Sequence, residues 1–210
     1  MPKSTPNQVS IARDGLFTSR RLTAQIADIA PTAQKLVKQH FGRRPLTAVE
    51  LVVTTTNRIG RHAATAQGTA AGVPAKVHME KVLSFTSKPG DLYSVAVIAP
   101  KKTILVLLNS KRLRRRKGEI GANLVFAFVE VDQLCRKGAL ERRIALTRHE
   151  MGTHILSKRD ARSLYRIEAE LEAEAEKVTH QIVGKVIRQN RQAENEAARE
   201  EAATAQSTAA

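Results

Sequence analysis

Apolar positions recur along this chain with two periods, and the switches between them mark out its elements. In "LTAQIADIAPTAQKLVKQHFG" (22–42), Ala33, Leu36, Val37 and Phe41 fall at helical spacing, with Gly42 and Pro45 as the stop. Pro31 either kinks this helix or starts its main part at a first turn. "AVELVVTT" (48–55) sets β-branched residues around a charged Glu50 and predicts a strand. The small-residue stretch 58–73 favours neither period, and a short helix from Pro74 would carry Val77, Val82 and Leu83 before "SKPGD" breaks the chain. "LYSVAVI" (92–98) and "TILVLLN" (103–109) then flank "APKK", which predicts a β-hairpin with Pro100 in its turn. The second strand is apolar throughout, so it should be covered on both faces.

The C-terminal half changes period. "IGANLVFAFVEVDQLCRKG" (120–138) alternates at Val125, Ala127, Val129 and Val131, yet its length and its Gly138 stop favour a buried helix. A further helix over 139–152 places Leu140, Ile144 and Met151 near one face. Ser157 and Asp160 form a capping signature that opens a long helix. Its stripe runs through Leu164, Ile167, Leu171, Ala175, Val178, Ile182 and Val186, irregular enough to suit packing on its own domain rather than on a second chain. Past about residue 190 the apolar face is gone and a polar, fraying tail is expected. The layout is α+β: a small antiparallel or mixed sheet with a helical C-terminal half. It divides into a flexible arm (1–20), one domain (21–188) and a low-complexity tail (189–210).

Composition adds three constraints. Aromatics are 3% of 210 residues and Trp is absent, so the core is built from Ala, Val, Leu and Ile. The lone Cys135 cannot form an internal disulfide; it reads as a buried thiol in a protein of the reducing cytoplasm. No apolar run reaches the roughly 20 residues that span a bilayer, so no membrane partner is expected. The charge is +15 and uneven: residues from 158 onward hold 9 Lys/Arg against 10 Asp/Glu, leaving +16 on 1–157. Such a surface attracts phosphate-rich or acidic partners.

"RHEMGTHIL" (148–156) carries candidate chemistry. Zinc peptidases place two His one turn apart, so that both reach one ion, with an intervening Glu as base on the bound water. His149 and His154 are five apart, which in a regular helix separates them by about 140°. A bulged helix, eased by Gly152, would bring them together. At about 100° per residue, Glu168 and Glu174 lie nearest the inward face of the long helix and are the carboxylates able to meet them.

"HEMGTHIL" resembles the HExxxH motif of a metallopeptidase family that includes the tubulin tyrosine carboxypeptidases and bacterial proteins with a downstream QEGLA motif. The resemblance implies a zincin-type hydrolase of peptide or protein substrates, with His149 and His154 binding Zn²⁺ and Glu150 as catalytic base. It covers eight residues. The QEGLA segment, which supplies that family's third ligand, does not occur here; Glu168 or Glu174 would replace it, with His180 a further possibility. The order of elements is also similar to small zincins, in which an apolar strand and loop lead into the HExxH helix. In that alignment "LVFAFVEVDQL" is the equivalent helix, and Phe126, Ala127 and Glu130 stand at the motif positions. None matches, which implies an inactive relative.

A different function class rests on "KRLRRRK". Lys111, Arg112, Arg114, Arg115, Arg116 and Lys117 fall in what reads as an exposed loop or first turn. They suit phosphate contacts of a basic nucleic-acid-binding accessory protein, or of a protein for another polyanion. Arg20–Arg21, Arg43–Arg44, Lys101–Lys102 and Arg142–Arg143 add charge. Aromatics are too few for a base-stacking platform, so such binding would be backbone-directed. The same run can also serve only to keep a loop solvated.

Overall fold

A computed structural model describes residues 9–15, 18–42, 48–77 and 92–208, with side chains as far as residue 198. Arg43–Arg44 and most of the helix expected from Pro74 lie outside the described residues. Four strands, β1 (Val9–Arg13), β2 (Val49–Thr54), β3 (Ser94–Ala99) and β4 (Thr103–Asn109), form one mixed sheet in the order β1-β2-β4-β3. β1, β2 and β4 are parallel, and β3 returns antiparallel beside β4 with Ser94 opposite Leu108. The helices are α1 (Arg20–Phe41), α2 (Thr56–Ala70), α3 (Ser110–Arg115), α4 (Ile120–Leu134), α5 (Ala139–Glu150) and α6 (Lys158–Thr208). The fold is α+β, as the periodicity predicts.

The period of two explains why the sheet is covered twice. Val49, Leu51 and Val53 of β2 and Ile104, Val106 and Leu108 of β4 share one buried face with Leu22, Ile26, Ala33 and Val37 of α1. The alternate residues Val97 and Leu107 meet Ile59 and Ala63 of α2 on the other face. β4 is therefore apolar throughout because both faces are occupied. α4 is enclosed by the sheet, α1 and α6; Val125, Phe128, Val129 and Val131 are all buried, so no single apolar stripe marks it out. Ala175, Val178 and Ile182 of α6 close this core. No helix among the described residues is long and apolar enough to cross a membrane.

Four expectations need correction. Residues 9–13, placed in a flexible arm, are an edge strand: Val9 and Ile11 pack on the core, and Ser19 then caps α1 by accepting from the Leu22 N–H at 3.3 Å. Five residues with two apolar positions give too short an alternation to read alone. Pro31 lies inside α1 on its exposed side, eleven residues past the helix start at Arg20, so it does not start the helix's main part. The tail beyond 189 continues as helix to Thr208, because Ala, Glu, Arg and Gln sustain a helix by intrinsic propensity after the packing stripe has ended. Cys135, expected to be buried, is exposed just past the last turn of α4.

Candidate functional site

The His-Glu stretch is a helix end. α5 stops at Glu150, and Gly152 turns left-handed at φ +71°. The amides of Thr153 and His154 both donate to the Arg148 carbonyl, at 2.9 and 3.2 Å. This closes the helix, so the bulged helix that would align His149 with His154 is not formed. Each neighbour has a packing role. Arg148 donates from Nε to the Ala71 carbonyl at the end of α2 (2.7 Å), and Met151 packs with Ala64, Ala71 and Val73. His149 Nδ1 accepts from the Leu156 N–H at 3.2 Å, while His154 and Glu150 are exposed. The helical wheel puts Glu168 and Glu174 on the flank of α6, and they are there, but they face cations. Glu168 takes Arg143 at 2.6 Å; Glu174 takes both guanidinium nitrogens of Arg136 at 2.7 Å, and Gln133 at 3.1 Å. The structure does not bring His149, His154, Glu168 and Glu174 together. Among the described residues no three His, Cys, Asp or Glu side chains form a metal-holding group.

A cleft of about 560 Å³ lies between the outer strand β3 and helices α4, α5 and α6. Phe126 and Glu130 of α4 line it, with Arg142 and Arg143 of α5 and Glu168, Glu172 and Glu176 of α6. Glu130 accepts the Ala96 N–H at 3.3 Å. Burial pushes its carboxyl up to about 8; the Ala96 bond and Arg143 oppose that rise, and Glu172 and Glu168 add to it. Glu130 is thus a protonated acid at neutral pH, beside the Arg143–Glu168 ion pair that spans α5 and α6.

The opposite chemistry gathers at one end of the sheet. β1, β2 and β4 are parallel, so the segments that leave them emerge at a shared carboxyl end, about 5 Å apart from strand to strand. These segments deliver Arg13, Arg20 and Arg21 from the β1–α1 turn, Arg58 from α2, and all six cations of 111–117. The basic run is a short helix with its following turn, rather than a loop. Asn109, fully buried, holds it in place. Its Oδ1 accepts from Thr56 Oγ1 (3.0 Å) and from the N–H groups of Lys111 and Arg112 (3.2 and 3.3 Å), and its Nδ2 donates to the Leu92 carbonyl (3.0 Å). Between α2 and α3 a pocket of about 500 Å³ is lined by Thr55, Thr56, Asn57, Ser110, Lys111, Arg114 and Arg115. Among the described residues Lys111, Arg114 and Arg115 have no carboxylate partner, whereas Arg116 is paired with Glu119 at 3.0 Å. Lys101 and Lys102 turn the hairpin at the other end of the sheet, both left-handed (φ 60° and 58°), and do not join this patch.

A partly buried acid, Asp14, also lies at the basic end, beside Arg58. Asp14 accepts from Thr54 Oγ1 (2.8 Å) and Arg58 (3.1 Å) and lies 2.8 Å from His62 Nε2. Partial burial works to raise its pKa, but the bonds from Thr54 and His62 and the nearby positive charges bring it below the ordinary value. Sequence reasoning missed this cluster, because its members are 40 to 48 residues apart. It also missed Asn109, although an Asn between an apolar strand and a basic turn is a helix-start signal.

In comparisons with known proteins, the chain matches no family model, no curated protein and no solved structure.

Proposed function

We propose that this protein binds polyanions, with the nucleic-acid phosphate backbone as the principal partner, through the carboxyl end of its parallel strands. One observation carries the reading. Among the described residues, three strand ends gather ten cations against two acids, Asp14 and Glu119, and the cations lining the central pocket have no carboxylate partner. Unpaired cations release condensed counterions when they neutralise phosphates, which gives affinity without sequence reading. With aromatics at 3% of the chain, base stacking adds little. The test is binding to random duplex between about 50 and 200 mM salt. A steep fall in affinity with salt, flattened when 111–117 is neutralised, is expected. A flat salt response in the unaltered protein overturns the reading.

A second reading, an inactive zincin-like hydrolase, is favoured by one observation. Phe126 and Glu130, which stand at the histidine positions of the HExxH alignment, both line the cleft, opposite the carboxylates Glu168 and Glu172. Replacing both by histidine (Phe126→His with Glu130→His) should then raise zinc content from below about 0.1 equivalent towards one, since a complete zinc site binds tightly at neutral pH. No gain over the unaltered protein would sink this reading. Zinc bound by the unaltered protein and lost on replacing His149 and His154 would instead restore the HExxxH site.

A further inference from the structure

We infer that the pocket between α2 and α3 seats a phosphate monoester, the phosphorylated end of a nucleic-acid strand. This rests on the polyanion reading and gives it a specific subsite. Lys111, Arg114 and Arg115 are spaced i, i+3 and i+4, so they project from one side of α3 into the same space. Thr55 and Asn57 from the start of α2 form the facing wall with further hydrogen-bonding groups. The walls are fixed to each other: Thr56 Oγ1 bonds the buried Asn109 side chain, which also caps the first turn of α3. The cations are therefore presented from a built frame rather than from a free loop.

The charge and the size favour a strand end over a mid-strand phosphate. A backbone diester carries one negative charge and two free oxygens, with sugar on both sides. A monoester carries close to two charges at neutral pH and three acceptor oxygens, with a substituent on one side only. Three cations around one concavity, without a carboxylate partner among the described residues, match the dianion better. A volume of about 500 Å³ exceeds what one phosphate fills and leaves room for the nucleotide attached to it. Such a ligand would place the rest of the strand across the remaining cations of the sheet end.

The experiment compares three random duplexes of one sequence by fluorescence anisotropy at about 0.15 M salt: 5′-phosphorylated, 3′-phosphorylated and unphosphorylated at the ends. Expected is about tenfold tighter binding of one phosphorylated form, lost in Lys111→Ala/Arg114→Ala/Arg115→Ala. A control variant, Lys158→Ala/Arg159→Ala/Arg162→Ala, removes the same charge from exposed positions of α6 and should keep the preference. Thermal unfolding of both variants checks that they fold. A nucleoside monophosphate is titrated separately. If it binds the unaltered protein but not the first variant, while the duplex ends bind alike, the monoester site stands and its ligand is a free nucleotide rather than a strand end. Equal affinity for all three duplexes, with no nucleotide binding, overturns the inference. Steep salt dependence in that same outcome would leave the backbone reading intact, so the two failures are distinguishable.

Discussion

The cleft beside β3 and the carboxyl end of the parallel strands are both rich in charge, and they use it differently. At the cleft and its flank two ion pairs join the helices: Arg143 meets Glu168 and, beside it, Arg136 meets Glu174, so two carboxylates of α6 are spent on holding α6 to α4 and α5. At the sheet end, Asp14 and Glu119 partner Arg58, His62 and Arg116, and among the described residues Lys111, Arg114 and Arg115 have no carboxylate partner. A paired charge between packed helices contributes to register and modestly to stability. An unpaired, exposed cation contributes little to folding and is available to a partner. A basic or acidic run in this sequence thus acquires meaning from what the fold sets opposite it.

Glu130 should show the largest effect on folding. Its carboxyl is raised from the ordinary 4.5 to about 8 in the folded protein, so between those values the folded state holds a proton that the unfolded chain has lost. The contribution is fully present below about 4.5 and is lost as pH rises through about 8, with a slope approaching about 1.4 kcal/mol per pH unit. Urea unfolding of Glu130→Gln at several pH values should show that slope removed. An unchanged slope would mean that the cleft does not keep this acid protonated.

Next in size is Asn109→Ala, which strips one buried side chain of bonds to α2, α3 and Leu92. It should cost about 3 kcal/mol in denaturant unfolding and weaken polyanion binding as the pocket loosens. Lys111→Ala/Arg114→Ala/Arg115→Ala should do the reverse, with stability nearly unchanged and the salt slope for duplex binding smaller by about 2.7, at about 0.9 per phosphate contact. Arg136→Ala breaks the comparison from the other side: about 1 kcal/mol of stability lost with its bonds to Glu174, and duplex binding unaltered. If Arg136 matters to binding as much as Arg114 does, the division between structural and available charge fails. Smallest is His149→Ala with His154→Ala, expected within about 0.5 kcal/mol of the unaltered protein in the same unfolding assay.

The elements were largely readable from local pattern. The hairpin, the doubly covered β4, the Ser157–Asp160 cap and the α6 stripe all follow from residues close in sequence; Asp160 N–H does bond Ser157 Oγ at 3.1 Å. α2 was not readable, because past Ile59 its buried face is built from Ala63, Ala64, Gln67 and Gly68, which carry little apolar signal. The cleft was half visible. Helical geometry put Glu168 and Glu174 on the right flank, but the identity of what faces them depends on α4 and α5, which a helical wheel does not contain.

By itself, then, the sequence determined the α+β class, the surplus of cations before residue 158 and the helical half that follows. Those properties depend on composition and on contacts within a turn or a hairpin. The helix end at Gly152 is marked locally, by that glycine and by the Ser157–Asp160 cap that follows; the fold adds that Met151 and Arg148 dock on α2, far away in the chain. The fold also sets which cations lack a carboxylate partner among the described residues, because parallel pairing of β1, β2 and β4 brings segments up to about a hundred residues apart to one end of a sheet. Strand order and helix docking are set by burying apolar surface over the whole domain, and no local pattern encodes them.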